Sequence, residues 1–197
     1  LHDADGVGEG FEIERQVFTV RASQHPLRQF GRVCRRKISV AVFVGEFDNR
    51  SRTQTAIEVD GRLNEADWNS AEPLTGMTQF EPDEGLPGTE STEVRILYDA
   101  KHLYFGFTCY ESEMDRIVAN EMRRDARLHE NDNVYIMLDT YNDRRSGFFF
   151  RVNPLGTRQD SAVTDNGDTR NENWNAVWEA QTSLDDDKWT AEIAIPF

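Results

Sequence analysis

The feature that most constrains the fold is a two-residue alternation of apolar and polar side chains in short segments after residue 57. In residues 93–98, Val94 and Ile96 lie on one face of an extended chain, and Glu93 and Arg95 lie on the other. Residues 102–110 alternate in the same way after a polar turn at 99–101. Side chains alternate across a strand with a period of two, so this pair of segments predicts a β-hairpin.

The same alternation recurs towards the end of the chain and predicts further strands in residues 133–139, 148–153, 176–182 and 189–195. The one candidate helix, residues 114–127, is short and highly charged, and we expect a loop with one or two turns. Short strands separated by turns predict an all-β fold, a two-sheet antiparallel β-sandwich of immunoglobulin or jelly-roll type. The side chains expected to point inward are Val94, Ile96, Phe105, Phe107, Val134, Ile136, Leu138, Phe148, Phe150, Ile193 and Ile195.

Charge divides the chain of 197 residues into two unequal parts. The net charge is −14, yet no acidic residue occurs between Arg15 and Gly45. This shift predicts a boundary at the polar stretch 51–55, with residues 1–56 a poorly structured or non-domain segment and linker and residues 57–197 the sandwich. The apolar run 38–43 is compatible with a strand or with part of a signal peptide, and an upstream tail outside the domain is the preferred interpretation.

Composition and motifs exclude several functions. A chain this acidic is a poor nucleic-acid binder, and no apolar run reaches the roughly 20 residues of a membrane-spanning helix. The scattered histidines argue against a transition-metal site, and nucleophile motifs are missing, so the chain is predicted not to be an enzyme. No cofactor is expected to be required. Calcium ligands are unknown, although the acidic turn 165–168 makes a structural calcium ion conceivable.

The tryptophans differ in their surroundings. Trp68 and Trp189 lie in apolar patterns and are predicted to anchor the core. Trp174 stands in the polar stretch 171–175, where its ring is either a lid on the edge of the core or an exposed platform for a sugar ring. The charged residues Arg123, Arg124 and Asp125 lie between the hairpin and the next strand, and we expect them to fold back over one sheet face.

Four segments in order resemble family-9 carbohydrate-binding modules: IEVDGRLNEADW (57–68), STEVRILYDAKHLYFGFTCYE (91–111), NDNVYIMLDT (131–140) and KWTAEIAIPF (188–197). Residues 122–160 are similar to a bacterial subgroup in which such a module precedes an outer-membrane β-barrel. The resemblance implies a β-sandwich with structural calcium. It also implies that the chain lacks the last strand or strands of the family fold.

The resemblance implies a ligand site in which a terminal sugar lies between two aromatic rings. Trp174 and Asn171 correspond to one wall of that site, and Arg95 corresponds to its arginine. Phe80 is the aromatic ring available in the segment that corresponds to the second wall, where a tryptophan is usual.

These observations lead to a prediction of non-catalytic binding of an oligo- or polysaccharide, through recognition of its chain end. The domain would be an accessory module of a larger bacterial protein that is outer-membrane-associated, periplasmic or secreted, with a membrane β-barrel or hydrolase domain in the same chain. The missing second tryptophan motivates an alternative, a structural or interaction domain that docks on a β-barrel without binding sugar. Haem binding through Met77, Met114 or His129 is a weaker third interpretation.

Overall fold

The fold is built almost entirely from strands. The computed structural model describes residues 51–77, 86–141, 143, 145–165 and 168–197, together with the backbone of two earlier strands. The strands are β1 (Phe18–Ser23), β2 (Ser39–Val44), β3 (Ser51–Arg52), β4 (Thr92–Tyr98), β5 (His102–Tyr110), β6 (Asn133–Leu138), β7 (Gly147–Val152), β8 (Arg158–Thr164), β9 (Thr169–Asn171), β10 (Glu179–Leu184) and β11 (Lys188–Pro196). One short helix, α1 (Ala66–Ser70), and 3₁₀ turns at Met114–Arg116 and Leu128–Glu130 complete the described elements.

The strands form two sheets. A six-stranded sheet has the order β1-β2-β6-β7-β8-β9, and a five-stranded sheet has the order β10-β11-β5-β4-β3. All pairs are antiparallel except β2 with β6 and β3 with β4, which are parallel. The predicted all-β architecture of two mostly antiparallel sheets is therefore confirmed.

The core lies between the two sheets and contains the side chains predicted to point inward. The hairpin pairs Val94 with Phe107 and Ile96 with Phe105, as the alternation requires. These four side chains are at most 1% exposed, and Phe148 lies partly buried at the margin of the same cluster. A slip of one residue in any of these strands would turn its apolar side chains to solvent, which is why the pattern fixes the register.

A second, smaller apolar cluster covers the outer face of the five-stranded sheet. Trp68 of α1, which is 1% exposed, packs there with Leu97 and Tyr104. The indole Nε1–H of Trp68 donates to Oε1 of the buried Glu192 at 3.0 Å. Trp68 is thus a core anchor, as predicted, and so is Trp189, which is 2% exposed in the main core.

The same carboxylate holds the preceding turn. Oε2 of Glu192 accepts the backbone N–H groups of Asp60 and Gly61, at 2.9 and 3.1 Å. Gly61 has a φ of +86°, and a Cβ atom there would lie 2.6 Å from the backbone of Thr182. Asp60, Gly61 and Trp68 therefore bind the same carboxylate. This holds the segment 57–68 on the outer face of the five-stranded sheet.

The segment before residue 57 contributes to the sheets. β1 and β2, which lie within the part expected to pack poorly, extend the six-stranded sheet, with β2 placed between β1 and β6. The stretch 51–55, expected to be a linker, is bound to the domain, because β3 pairs with β4 and the backbone N–H groups of Gln54 and Thr55 donate to Asp67. The domain boundary near residue 56 stays a prediction.

The loop before β6 was predicted from the sequence, whereas β8 and β9 were not. Residues 114–127 form a loop that contains one 3₁₀ turn, as expected. β8 and β9 were not predicted, because the sequence of β8, RQDSAVT, carries polar residues where an inward face needs apolar ones. Within the described part of the chain, no helix has the length and apolar character needed to cross a bilayer.

Candidate functional site

The candidate site is formed where the loop 121–126 meets β8 and the segment 174–178, and we call it the Asp160 site. Asp160 is 1% exposed. Its Oδ1 accepts the indole Nε1–H of Trp178 at 3.1 Å and Nη2–H of Arg124 at 2.6 Å. Its Oδ2 accepts the backbone N–H of Ala176 at 2.6 Å. One carboxylate therefore joins three separate parts of the chain, and the charge of Arg124 compensates for its burial.

The loop carrying Arg124 is folded back over β8, as predicted for residues 123–125. The backbone N–H of Asp125 donates to the carbonyl of Arg158 at 3.0 Å, and the backbone N–H of Asp160 contacts Oδ1 of Asp125 at 3.4 Å. Asp125 adopts a φ of +60°, a left-handed conformation that aspartate tolerates better than most residues. Arg123 differs, since its side chain is 83% exposed and pairs with Glu121.

Arg158 forms the side of the site next to Trp178. Its guanidinium carbon lies 5.6 Å from the centroid of the Trp178 ring, and its Nη1–H donates to the Trp178 carbonyl. Arg124 and Arg158 thus place two guanidinium groups next to the carboxylates of Asp160 and Asp125. Guanidinium groups donate hydrogen bonds in fixed directions, which suits the recognition of hydroxyl and carboxyl oxygens.

A network of buried amide side chains holds the loop in this position. Oδ1 of Asn131 accepts the backbone N–H groups of Asn120 and Glu121 at 3.0 and 3.2 Å. Nδ2 of Asn153 donates to Asn131 Oδ1 at 3.0 Å and to the Glu121 carbonyl at 2.8 Å. Asn131 and Asn153 are at most 1% exposed. The segments 131–140 and 148–156 thus supply the support for the site as well as two core strands.

A row of aromatic rings leads from the core to the surface beside Asp160. Trp178, in the core, meets Phe150 edge-on at 5.2 Å between ring centroids. Trp174 stacks on Phe148 at 4.6 Å with an interplanar angle of 21°, and Phe148 contacts Tyr141 at 6.5 Å. Trp174 is partly buried and Tyr141 is 71% exposed. Trp174 is therefore packed on the margin of the core and still partly accessible, and its role as a platform for a sugar ring stays a prediction.

Asn171 and Trp174 are brought together. The carbonyl of Asn171 accepts the backbone N–H of Trp174 at 3.3 Å, and the Asn171 side chain is exposed. In β9, Asn171 pairs with Ala162, which is two residues from Asp160 on the same face of β8. Asn171, Trp174 and Asp160 thus lie on one side of the six-stranded sheet, and whether the first two bind a ligand stays a prediction.

Arg95 lies elsewhere. Its neighbours Val94 and Ile96 enter the core, so Arg95 projects from the outer face of the five-stranded sheet, where Nη1 pairs with Glu93 Oε2 at 2.8 Å. It lines a groove of about 660 Å³ that Trp68, Tyr110 and Thr190 also line. The structure does not place Arg95 on the same surface as Trp174, because the sheet and the core separate them. Phe80, the fourth predicted site residue, lies outside the described residues.

The described residues contain neither a cluster of metal-ligating side chains nor an accessible cysteine. Nowhere in this part of the chain do three or more His, Cys, Asp or Glu side chains gather at one point. The structural calcium ion stays a prediction, since two residues of the acidic turn 165–168 are outside the described part. Cys109 is fully buried in the core, and burial raises the pKa of its thiol far above the usual range, as expected of an inert cysteine.

Sequence reasoning missed Asp160, Arg158 and Trp178. A signal for them was present, since RVNPLGTRQD ends on an aspartate inside a motif that resembles a known subgroup. The strand assignment did not use it, because an aspartate is an unusual residue at an inward position unless it has partners. The partners are residues 124, 176 and 178, which no local pattern connects to residue 160.

The two sheets packed around one apolar core define a β-sandwich domain. The family model described as "Carbohydrate family 9 binding domain-like" matches residues 59–197. The chain therefore belongs to this family, which is a class of non-catalytic domains. No curated protein matches the chain significantly in sequence.

Several solved structures share the fold, and two of them contain a sugar. One is a carbohydrate-binding module of family 9 from Caldicellulosiruptor kristjanssonii in complex with cellotriose, with a TM-score of 0.53 and 17% identity. It is matched over 75% of this chain and 66% of its own, so this chain spans just under two thirds of that protein. The other is a family-9 module from the same organism in complex with glucose, with a TM-score of 0.52, 18% identity and coverage of 75% and 69%. At these identities the likeness concerns the fold.

Proposed function

We propose that this domain binds carbohydrate without catalysis, and that the Asp160 site is where it does so. The observation that carries the proposal is the position of Trp174, which is partly accessible on the core margin. It lies three residues after the exposed Asn171 and two residues before Ala176, whose carbonyl is 3.5 Å from Arg124 Nη2. Sugar rings present flat C–H faces that pack on aromatic rings, while their hydroxyl groups need directed hydrogen bonds. The family match and the sugars held by the two related structures support the same function.

Arg124 has hydrogen-bonding capacity left for a ligand. Its Nη2 donates to Asp160 and its Nε to Asp125, whereas Nη1 has no partner among the described residues. The side chain is 37% exposed. An arginine that is fixed on one side by a buried carboxylate and open on the other is pre-organised, so a ligand pays little to order it.

We further propose which part of a saccharide binds and what kind of protein contains the domain. One accessible tryptophan bounded by folded loops favours a short ligand segment, such as the end of a chain, over a long open surface. We also propose that the domain is an accessory module of a larger envelope or secreted protein. A hydrolase or membrane β-barrel in the same protein would then be brought to its polysaccharide.

Titration of the Trp174→Ala variant with cello- and xylo-oligosaccharides tests the proposal. We expect binding to weaken at least tenfold, measured by isothermal titration calorimetry and tryptophan fluorescence. Because the ring is only partly buried, the loss of folding free energy should stay below the roughly 3–5 kcal/mol of a fully buried tryptophan. Val177→Ala is the matched control, since Val177 is 87% exposed and lies three residues after Trp174.

Two results would contradict the proposal. Wild-type protein that gives no heat and no fluorescence change at millimolar oligosaccharide would exclude useful sugar binding. Unchanged affinity in a folded Trp174→Ala variant would move the site away from Trp174. In the first case, co-purification of the domain with its parent β-barrel would test the structural role instead.

A further inference from the structure

The outer face of the six-stranded sheet carries two arginines on one aromatic ring. The guanidinium carbon of Arg151 lies 4.7 Å from the ring centroid of Phe149, and that of Arg170 lies 4.3 Å from it. Arg151 also lies 5.3 Å from the ring centroid of Tyr135. Arg170 is exposed and Arg151 is partly buried. Guanidinium groups pack well on aromatic faces, which explains the position of each arginine but not their proximity to each other.

Neither arginine has a carboxylate partner among the described residues. Within the described part of the chain, the one polar contact of Arg151 is Nη1 to Oε1 of Gln159 at 3.4 Å, and no ion pair involves Arg170. This is unusual in a chain with a net charge of −14. Burial in the first place, and the neighbouring positive charge of Arg170 in the second, lower the pKa of Arg151 to about 10.

Two polar atoms at the same place lack hydrogen bonds. Arg151 Nε and Ser161 Oγ are both buried without a partner. Ser161, which is 2% exposed, pairs with Phe149 across β7 and β8, and Gln159 pairs with Arg151, so all four side chains share the outer face. Unpaired buried donors and adjacent cations are both stabilised by the same partner, an anion with several acceptor oxygens.

We propose that Arg151 and Arg170 form a second binding site, for the carboxylate of an acidic saccharide such as a glucuronate residue. A carboxylate fits better than a neutral group because its negative charge reduces the repulsion between the two arginines and its two oxygens accept from a guanidinium in a bidentate way. The aromatic faces are already covered by the arginines, so recognition depends on the charged group. The site is separate from the Asp160 site, because Ser161 and Asp160 point to opposite faces of β8. The choice of a saccharide as carrier rests on the proposed function.

The test compares glucuronate with glucose, which differ at the carboxylate, and with acetate, which lacks the sugar. Binding is followed by isothermal titration calorimetry and by the Nε–Hε signals of the arginines in nuclear magnetic resonance spectra. We expect glucuronate to bind at least tenfold more tightly than glucose and acetate, with shifts at Arg151 and Arg170. The Arg170→Gln variant should remove this preference.

Controls separate this site from other effects of charge. Arg62→Gln removes the same charge from an exposed arginine in the segment before α1, far along the chain from Arg151 and Arg170, and should leave the preference unchanged. Arg151→Gln should act like Arg170→Gln, and melting of each variant checks that it is folded. Since Arg170 is exposed, its variant gives a reading even where the Arg151 variant does not fold.

The outcomes are distinct from those of the first site. Glucuronate bound no better than glucose, or a preference that survives Arg170→Gln, would overturn the inference. Acetate bound as tightly as glucuronate would overturn the saccharide assignment. Glucuronate shifts at Arg170 that persist in the Trp174→Ala variant would support an independent site, even if neutral sugars did not bind to the protein at all.

Discussion

Two buried carboxylates, one in each sheet, fix this domain in similar ways. Asp160 in β8 accepts the indole N–H of Trp178 and a backbone N–H. Glu192 in β11 accepts the indole N–H of Trp68 and two backbone N–H groups. In each case a single acidic side chain, at most 1% exposed, ties a loop and a tryptophan to a sheet. A sheet that is covered by loops needs such connections, because the backbone of a loop has no regular series of hydrogen bonds to hold it in place.

The two carboxylates differ in their counter-charge. Arg124 pairs with Asp160 and reaches the surface, whereas no ion pair involves Glu192 among the described residues. Burial therefore dominates at Glu192 and raises its pKa to about 7, although the three N–H donors act in the other direction. The comparison indicates that a paired carboxylate can be part of an accessible binding site, while an unpaired one is a structural connection that depends on pH.

Replacement of Asp160 should have the largest effect. Asp160→Ala removes the partner of Trp178, Ala176 and Arg124 at once, and breaking a buried charged network of this kind costs about 3–5 kcal/mol. We expect the free energy of unfolding in urea to fall by that amount and sugar binding to be lost. Asp160→Asn, which keeps an acceptor oxygen, should lose less. A fully stable Asp160→Ala variant would show that the connection does not stabilise the domain.

The unpaired carboxylate should be revealed by pH. Between the ordinary value near 4.5 and about 7, native Glu192 holds a proton that the unfolded chain has lost. Stability must then decrease as pH rises through this range, by at most about 3 kcal/mol. Urea denaturation at pH 4.5–8 measures this slope in wild type and Glu192→Gln. The stability of the variant should change less with pH, since the glutamine side chain does not titrate. Equal slopes for the two proteins would show that Glu192 is not responsible for the pH dependence.

Loss of the counter-charge should have the smallest effect. Arg124→Ala leaves Asp160 without its cation, but the site is partly solvated and the other donors remain, so we expect a loss of about 1–2 kcal/mol. Arg123→Ala is the matched control, because that side chain is 83% exposed and its loss should change stability little. Equal melting temperatures for the two variants would mean that Arg124 is surface charge only.

The sequence by itself determined the strands that alternate and the direction in which their side chains point. The pairing of β4 with β5 and the burial of Val94, Phe107 and Trp68 followed from period two and from apolar neighbours, because these signals are local. The motifs identified the family. The three-residue spacing of Asn171 and Trp174 corresponds to a turn in which the Asn171 carbonyl accepts the backbone N–H of Trp174. The return of Arg124 over a sheet face was also predictable, from its position between two strands.

Only the tertiary structure decided which polar residues lie inside and which surfaces meet. Asp160 was not recognisable as a buried residue, because its burial depends on partners contributed by two distant segments. Glu192 and Asp60 are 132 residues apart, and Arg95 was predicted beside Trp174 although a sheet separates them. Alternation specifies on which face of a strand a side chain lies, but not which other element packs against that face. The packing depends on the paths of the loops and on the hydrogen-bond partners that each buried polar group requires.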